Sequence, residues 1–386
     1  LIYSWGVTNL YQKKVAEGQV VAINIADIAG HFCFVGRFIE AGPFGNGHIN
    51  DTYAVVCSPT GERINRYILQ KINHFVFREP AALMENIQRV TNHLGQKIST
   101  AGGDRFRQTL NLVPTMDGGN LYQDPVGDYW RAYHFIEGSR TYEKAGSFQH
   151  IYQAAWAFGN FQRLLTDFPA EQLHETIPNF HHTPKRFQAF VDAVQADACN
   201  RAAGVREEIQ FIECREQDTR LLLEMSEQGL LPQRVTHNDS KFNNVMIDNR
   251  TGKGICVIDL DTVMPGLAPY DFGDIVRSAA ALAAEDEPER SKAGLSLETF
   301  DSLAQGYLDA GRGFLNAAEV DNLAFSARLI TLEQAIRFLT DYLNGDVYYK
   351  VHRPGQNLDR ARTQIDMVRD MEVKYEQMER VVSKYR

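Results

Sequence analysis

His237-Asn238-Asp239-Ser240-Lys241-Phe242-Asn243-Asn244 places a carboxylate, a cation and a terminal amide within eight residues. A short β-prone segment follows at once, Asn244 to Asp248. A turn at Arg250-Thr251-Gly252 and a second apolar run, Ile255-Cys256-Val257-Ile258, complete a hairpin. Asp259 stands at its far end, twenty residues beyond Asp239 (259 − 239). Phosphoryl transfer needs a carboxylate to orient an acceptor hydroxyl, ligands for a metal ion, and cations against phosphate charge. Asp239 suits the base, Lys241 the charge on the transferred phosphate, and Asn244 with Asp259 the metal. Mg²⁺ takes one or two carboxylates and fills its shell with phosphate oxygens and water. Asp261 lies close enough in sequence to touch the same site.

Outward from this loop the chain changes character. Before it, the first third reads as β-rich. Thr52 to Cys57 and Tyr67 to Ile72 flank the turn Ser58 to Glu62, and Asp128 to Ile136 is a further strand. Ala81 to Ser99 carries Leu83, Ile87, Val90 and Leu94 at helical spacing. From Ser147 the pattern is helical: Ser147 to Leu165, Pro184 to Asn200, Val205 to Gln228 and Ala317 to Leu343. The order predicts an α+β fold in two lobes: residues 1–134, an antiparallel sheet with one helix, and 135–386, a helical lobe carrying the catalytic hairpin.

The bulk properties set limits. A chain of 386 residues is long enough for two such lobes. A net charge of −9 argues against non-specific nucleic-acid binding, which needs clustered Lys and Arg. Apolar runs fall short of the ~20 residues of a membrane helix. Cys33, Cys57, Cys199, Cys214 and Cys256 show no ligand spacing. They read as reduced, mostly buried thiols of a cytoplasmic protein. No signal-peptide pattern opens the chain, although it begins at Leu1 rather than Met. Nothing in the sequence points to an obligate protein partner.

The pairing of H-x-D-x-K-x-x-N with a following I-D resembles the catalytic loop of the protein-kinase-like superfamily, in its aminoglycoside phosphotransferase and choline kinase branch. That resemblance implies ATP as co-substrate with Mg²⁺. It implies that the Gly-rich turn Gly42 to Asn50, with Gly45 and Gly47, approaches phosphates. It gives Lys71 to the α/β-phosphates with Glu85 as its partner, and the backbone of His134, Phe135 and Ile136 to the adenine. Asp271-Phe272-Gly273 spells the protein-kinase D-F-G but has no strand before it. It reads as the start of a helix, with Asp271 or Asp274 as N-cap or buried anchor.

Four segments resemble N-acetylhexosamine 1-kinases: Gly47 to Asn50, Val235 to Asp239, Val257 to Gly266 and Arg337 to Tyr348. Those enzymes phosphorylate an anomeric hydroxyl. The resemblance implies that His48, Asp239, Arg337 and Tyr348 line a sugar pocket. Taken without it, Arg337 is a helix-surface ion-pair partner and Tyr348 a core aromatic. Two other functions compete: a kinase for choline, ethanolamine, homoserine or an aminoglycoside, and a pseudokinase whose terminal stretch, Met367 to Arg386, binds a partner. His181-His182 has no third ligand nearby and reads as a surface or loop feature.

Overall fold

The computed structural model describes residues 10–14, 20–45, 49–59, 63–143 and 147–386. The chain forms two compact units, Leu1–Gly138 and Ser139–Arg386.

In the first unit, β1 (Leu10–Lys14) pairs with β2 (Val20–Asn24), and a short α1 (Ile25–Ala29) follows. A five-stranded antiparallel sheet comes next. It contains β3 (Arg37–Pro43), β4 (Asp51–Ser58), β5 (Asn65–Ile72), β6 (Tyr122–Gln123) and β7 (Tyr129–His134), in the order β3-β4-β5-β7-β6. The β4–β5 register sets Asp51 opposite Lys71. Val55, Leu69, Trp130 and Ala132 are fully buried in its core. α2 (Pro80–Thr100) starts at Pro80, whose missing N–H costs nothing in a first turn. It buries Leu83, Ile87, Val90 and Leu94, the face the spacing predicts. α3 (Arg105–Gln108) is a single turn.

The second unit is mostly helical. β8 (Ser139–Arg140) edges a three-stranded sheet with β10 (Val245–Asp248) and β11 (Gly254–Val257), and β9 (Gln233–Thr236) pairs with β12 (Met264–Leu267). The helices are α4 (Phe148–Leu164), α5 (Thr183–Ala196), α6 (Arg206–Glu213), α7 (Leu221–Glu227), α8 (Ala268–Ala279), α9 (Leu297–Gly311), α10 (Ala317–Asp321), α11 (Leu323–Leu343), α12 (Gln356–Val373) and α13 (Tyr375–Lys384). Among the described residues no helix is long and apolar enough to cross a membrane.

Three expectations needed correction. Val205 to Gln228 is two helices, parted at Cys214 to Arg220, where Arg215 turns its guanidinium to Glu372 and the Phe211 carbonyl. Ala317 to Leu343 breaks at Asn322. A capping box of Asn316 and fully buried Glu319, which pairs with Arg234, starts α10 as a separate turn, and at its end the Asn322 amide donates to the Ala318 carbonyl. The five cysteines are free, but only Cys57 and Cys256 are buried. The terminal stretch 367–386 is broken at Lys374, which bonds the Leu295 carbonyl at 2.8 Å. Its apolar residues Met371, Met378 and Val382 are buried within the second unit, so that face is spent on the fold.

α4 and α9 cross at bare backbone. A Cβ on Gly306 would lie 2.2 Å from the Tyr152 carbonyl oxygen, and one on Gly159 2.7 Å from that of Tyr307. Gly306→Ala gains ~1 kcal/mol of helix propensity but must push the helices apart, at ~1–3 kcal/mol of overpacking. A lower Tm is expected in thermal unfolding. An unchanged or higher Tm would show that the crossing is not tight.

Candidate active site

The loop between β9 and β10 is fixed through its backbone. Asp271, fully buried in the first turn of α8, accepts the N–H of His237 at 2.9 Å on Oδ2 and that of Asn238 at 2.7 Å on Oδ1. Gln162 of α4 donates to Oδ2 at 2.5 Å, and Tyr307 of α9 donates to Gln162 at 2.7 Å. Asp271 is therefore the buried anchor, one of the two roles the sequence left open. Asn238 adopts the left-handed conformation, φ 65°. Its amide donates to the Thr262 carbonyl at 2.9 Å and accepts from the Thr236 hydroxyl at 2.9 Å. His237 bonds the Ile258 carbonyl at 2.9 Å, tying the loop to the end of β11.

Asp239 follows this anchored pair. Its carboxylate meets the Lys241 ammonium at 2.8 Å. Burial alone would raise the Asp239 pKa, but Lys241, then His237 and Arg277, hold it below its ordinary 3.8. Lys241 is the mirror case: burial would lower it, but Asp239 and Asp274 keep it above its ordinary value. Both groups are charged at neutral pH.

Asn244 donates to the Asp239 carbonyl at 2.9 Å, and its own carbonyl accepts from Ile258 N–H at 2.9 Å. Its amide nitrogen is thereby committed to the loop. Asp259 sits one residue past Ile258, left-handed at φ 60° and solvent-exposed. An amide oxygen and a carboxylate are hard-oxygen donors of the kind Mg²⁺ accepts. Among the described residues no group of three His, Cys, Asp or Glu could hold a metal.

Arg337 and Tyr348 lie at the end of α11 and just beyond it. Arg337 is no surface ion pair. Its guanidinium sits over the rings of Phe180 (5.2 Å) and Tyr349 (5.7 Å) and donates to Gln334 at 3.2 Å. Tyr348 is no core aromatic: it is 62% exposed and edge-on to Tyr349. Buried Asp341 holds that loop by accepting the N–H groups of Val347, Tyr348 and Tyr349 at 2.7–2.9 Å. Arg277 is within electrostatic reach of both Asp239 and Arg337, which puts the two in one neighbourhood of this unit.

The sequence missed several members of this set. Arg186 donates to the Phe180 carbonyl at 3.1 Å; burial, then neighbouring Arg337, lowers its pKa. Asp274 and Arg277 pair at 2.8 Å beside the loop. His181 is buried, contrary to expectation, because it bonds Glu333 and the Asn238 carbonyl; His182 caps α5.

In the first unit, Gly45 has φ +78°, a conformation that suits glycine. Gly47 and His48 lie outside the described residues. Lys71 pairs with Asp51 at 2.7 Å and Asp128 at 3.9 Å, and Glu85 pairs with Arg89. The amides of His134 and Phe135 donate to the carbonyls of Asn111 (2.9 Å) and Arg66 (3.2 Å). Ile136 is buried.

A family model described as the phosphotransferase enzyme family (APH) matches residues 40–307. The chain belongs to this family. Its catalytic loop and hairpin fall inside the matched stretch. Solved structures show the same fold, a mixed α+β kinase-like arrangement of an antiparallel sheet followed by a mostly helical region. A microcompartment-associated aminopropanol kinase has a TM-score of 0.55 at 14% identity, over 92% of this chain and 97% of its own. A choline kinase from Cryptosporidium parvum has 0.55 at 14%, over 92% and 96%. A spectinomycin phosphotransferase, in complex with ADP and spectinomycin, has 0.50 at 14%, over 88% and 94%.

Two outcomes follow for the base. The acid limb of kcat should lie below pH 3.8, because Asp239 stays ionised until then. Lys241→Met should move that limb upward. A limb that stays in place would mean Lys241 does not hold the Asp239 charge. Asp239→Asn should cut turnover by about 10²–10⁴-fold and leave nucleotide binding, read by calorimetry, nearly intact. Equal loss of both would make Asp239 structural.

Proposed function

We propose that the protein is an ATP- and Mg²⁺-dependent sugar kinase that phosphorylates the anomeric hydroxyl of an N-acetylhexosamine. The observation that supports the acceptor class is the guanidinium pair Arg186 and Arg337, set with Tyr348 and Tyr349 and linked to Asp239 through Arg277. A cationic acceptor such as choline wants carboxylates or an aromatic cage. Here the nearby carboxylate, Glu333, is engaged by His181 and Thr183. Guanidinium forks instead suit the acyl carbonyl and hydroxyl oxygens of a neutral sugar, and the tyrosines offer a face to its ring.

The chemistry asks little of the base. An anomeric hydroxyl is more acidic than an ordinary alcohol, so Asp239 orients it and takes its proton late. Lys241 is assigned to neutralise charge on the transferred phosphoryl group, and positioning supplies much of the rate. Asn244 and Asp259 would hold Mg²⁺, which when bound neutralises phosphate charge. In the first unit we assign Gly45, Gly47 and Lys71 to the nucleotide phosphates, with Glu85 supporting. The His134–Ile136 segment is assigned to the adenine, read through carbonyl oxygens since two of its amides are engaged. The ADP-bound spectinomycin phosphotransferase supports an adenine nucleotide. His48 is assigned to the sugar on resemblance alone.

ATP consumption over an acceptor panel tests this. N-acetylglucosamine or N-acetylgalactosamine should be turned over, with loss of reducing-end reactivity in the product. Turnover of choline, ethanolamine or homoserine without the hexosamines would overturn it. Arg337→Ala should raise the sugar KM about 10–100-fold, the worth of a charged hydrogen bond. Arg337→Lys should not restore it, because a lysine lacks the planar fork.

A further inference from the structure

His181 stands where α5 begins, outside the hairpin and outside any residue assigned above to substrate or metal. Its ring is buried, and both nitrogens face acceptors. Nδ1 lies 2.8 Å from Glu333 Oε1, and Nε2 lies 2.9 Å from the Asn238 carbonyl oxygen. Glu333 Oε2 accepts from the Thr183 hydroxyl at 2.6 Å. A backbone carbonyl cannot donate, and an ionised carboxylate cannot either. A neutral imidazole carries one N–H and would set a lone pair against one of the two oxygens. Only the doubly protonated ring satisfies both.

The two acceptors are not arbitrary. Asn238 directly precedes Asp239. Glu333 precedes Arg337 by four residues on α11, one helical turn, so the two side chains share a face. We propose that His181 is a positioning residue: its imidazolium joins the backbone beside the catalytic carboxylate to the helix face that carries the acceptor-side guanidinium. It thereby holds base and acceptor in one register. This rests on the reading of Asp239 as base and Arg337 as acceptor contact.

Each group that faces the ring supports or opposes its charge. From α11 come Glu333 and, beyond it, Arg337. From α8 come Asp274 and the Tyr270 ring, whose centroid is 5.2 Å away. From α5 come Thr183 and Arg186, the latter within reach of Glu333. Phe180 packs edge-on at 4.8 Å. Burial alone would lower the His181 pKa, but Glu333, then Asp274 and the Asn238 carbonyl, raise it above 6.5. For Glu333, burial would raise the pKa; His181, Arg337 and Thr183 bring it below 4.5. The sign follows from both. The histidine contribution is complete below pH 6.5 and fades as pH rises through the raised value. The glutamate contribution is complete above 4.5 and fades as pH falls through the lowered one. The clamp is whole between those limits.

Steady-state kinetics of His181→Gln, Glu333→Gln and the double variant test the idea, with whichever acceptor the panel shows to be turned over. Its outcome is thus separate from the identity of the sugar. Each single variant should lower kcat about 10- to 100-fold, as a misplacement near 1 Å would. KM for the acceptor should rise and KM for ATP should stay. The basic limb of the wild-type kcat profile should vanish in His181→Gln. The double variant should cost no more than the worse single one, because the pair acts as a unit. Multiplying losses, or a lower Tm with wild-type kinetics and pH profile, would overturn the proposal. Nitrogen-15 NMR of the wild-type His181 ring guards against a variant that fails to fold. Both ring nitrogens should be protonated at pH 6.5, and a neutral tautomer there would overturn it.

Discussion

The second unit is organised around one carboxylate. Asp271 is buried on α8, and an ionised group there is tolerable only if it is fully hydrogen-bonded. It has three donors: two successive backbone N–H groups of the catalytic loop and the Gln162 amide, itself engaged by Tyr307. Two consecutive N–H groups can converge on one anion only where the backbone turns sharply. The anchor therefore dictates the turn, and the turn dictates where Asp239 points. α4, α8 and α9 all contribute to this one contact, so helix packing and catalytic geometry are the same problem.

The turn has a conformational cost. Asn238 is left-handed, a state that costs an L-residue roughly 1–2 kcal/mol. Asn carries it better than most residues, and here its amide is bonded to Thr236 and Thr262 on both edges. Asp259 is left-handed too, at the other end of the hairpin. The carboxylate assigned to the metal and the residue before the assigned base are thus both in sparsely populated backbone, held by their surroundings. His237 links the two places through the Ile258 carbonyl. Strain at both ends of one hairpin, tied by one imidazole, makes the hairpin a rigid piece rather than two loops.

What was legible in the sequence was local. The β10–β11 hairpin, the loop before it and α2 follow from turn residues and periodicity within a few residues of each other. That Asp271-Phe272-Gly273 starts a helix was legible, but the expectation of no strand before it was wrong, since β12 ends at Leu267, and the choice between cap and anchor needed the fold. The helix breaks at Asn322 and around Arg215 were not, since apolar spacing continues through both. Those breaks are marked by side-chain contacts that spacing does not show: the Asn322 amide on the Ala318 carbonyl, and Arg215 with Glu372. His181 was misjudged for a related reason. Its partners lie 57 and 152 residues away in sequence, and nothing adjacent marks it as buried. Arg337 and Tyr348 were placed by resemblance; their aromatic stacking and Asp341 support appear only in three dimensions.

The charges around Arg337 are what the proposed acceptor class rests on. The chain as a whole carries −9, yet Arg186, Arg277 and Arg337 gather in one neighbourhood. Asp274 and Glu285 are paired with Arg277, and Glu333 with His181. Arg186 and Arg337 are left sharing Glu333 at longer range, and Arg337 lowers the pKa of Arg186. A ligand cation about 7 Å from one guanidinium at an effective dielectric near 20 would be repelled by roughly 2 kcal/mol, enough to outweigh a modest aromatic attraction. A neutral polyol meets no such penalty and offers further oxygen acceptors beside the Phe180 carbonyl and Gln334 that the two guanidinium groups already hold. In the proposed sugar-kinase reading the acceptor preference follows from which carboxylates are already spent: His181, by claiming Glu333, leaves the arginines to read the substrate.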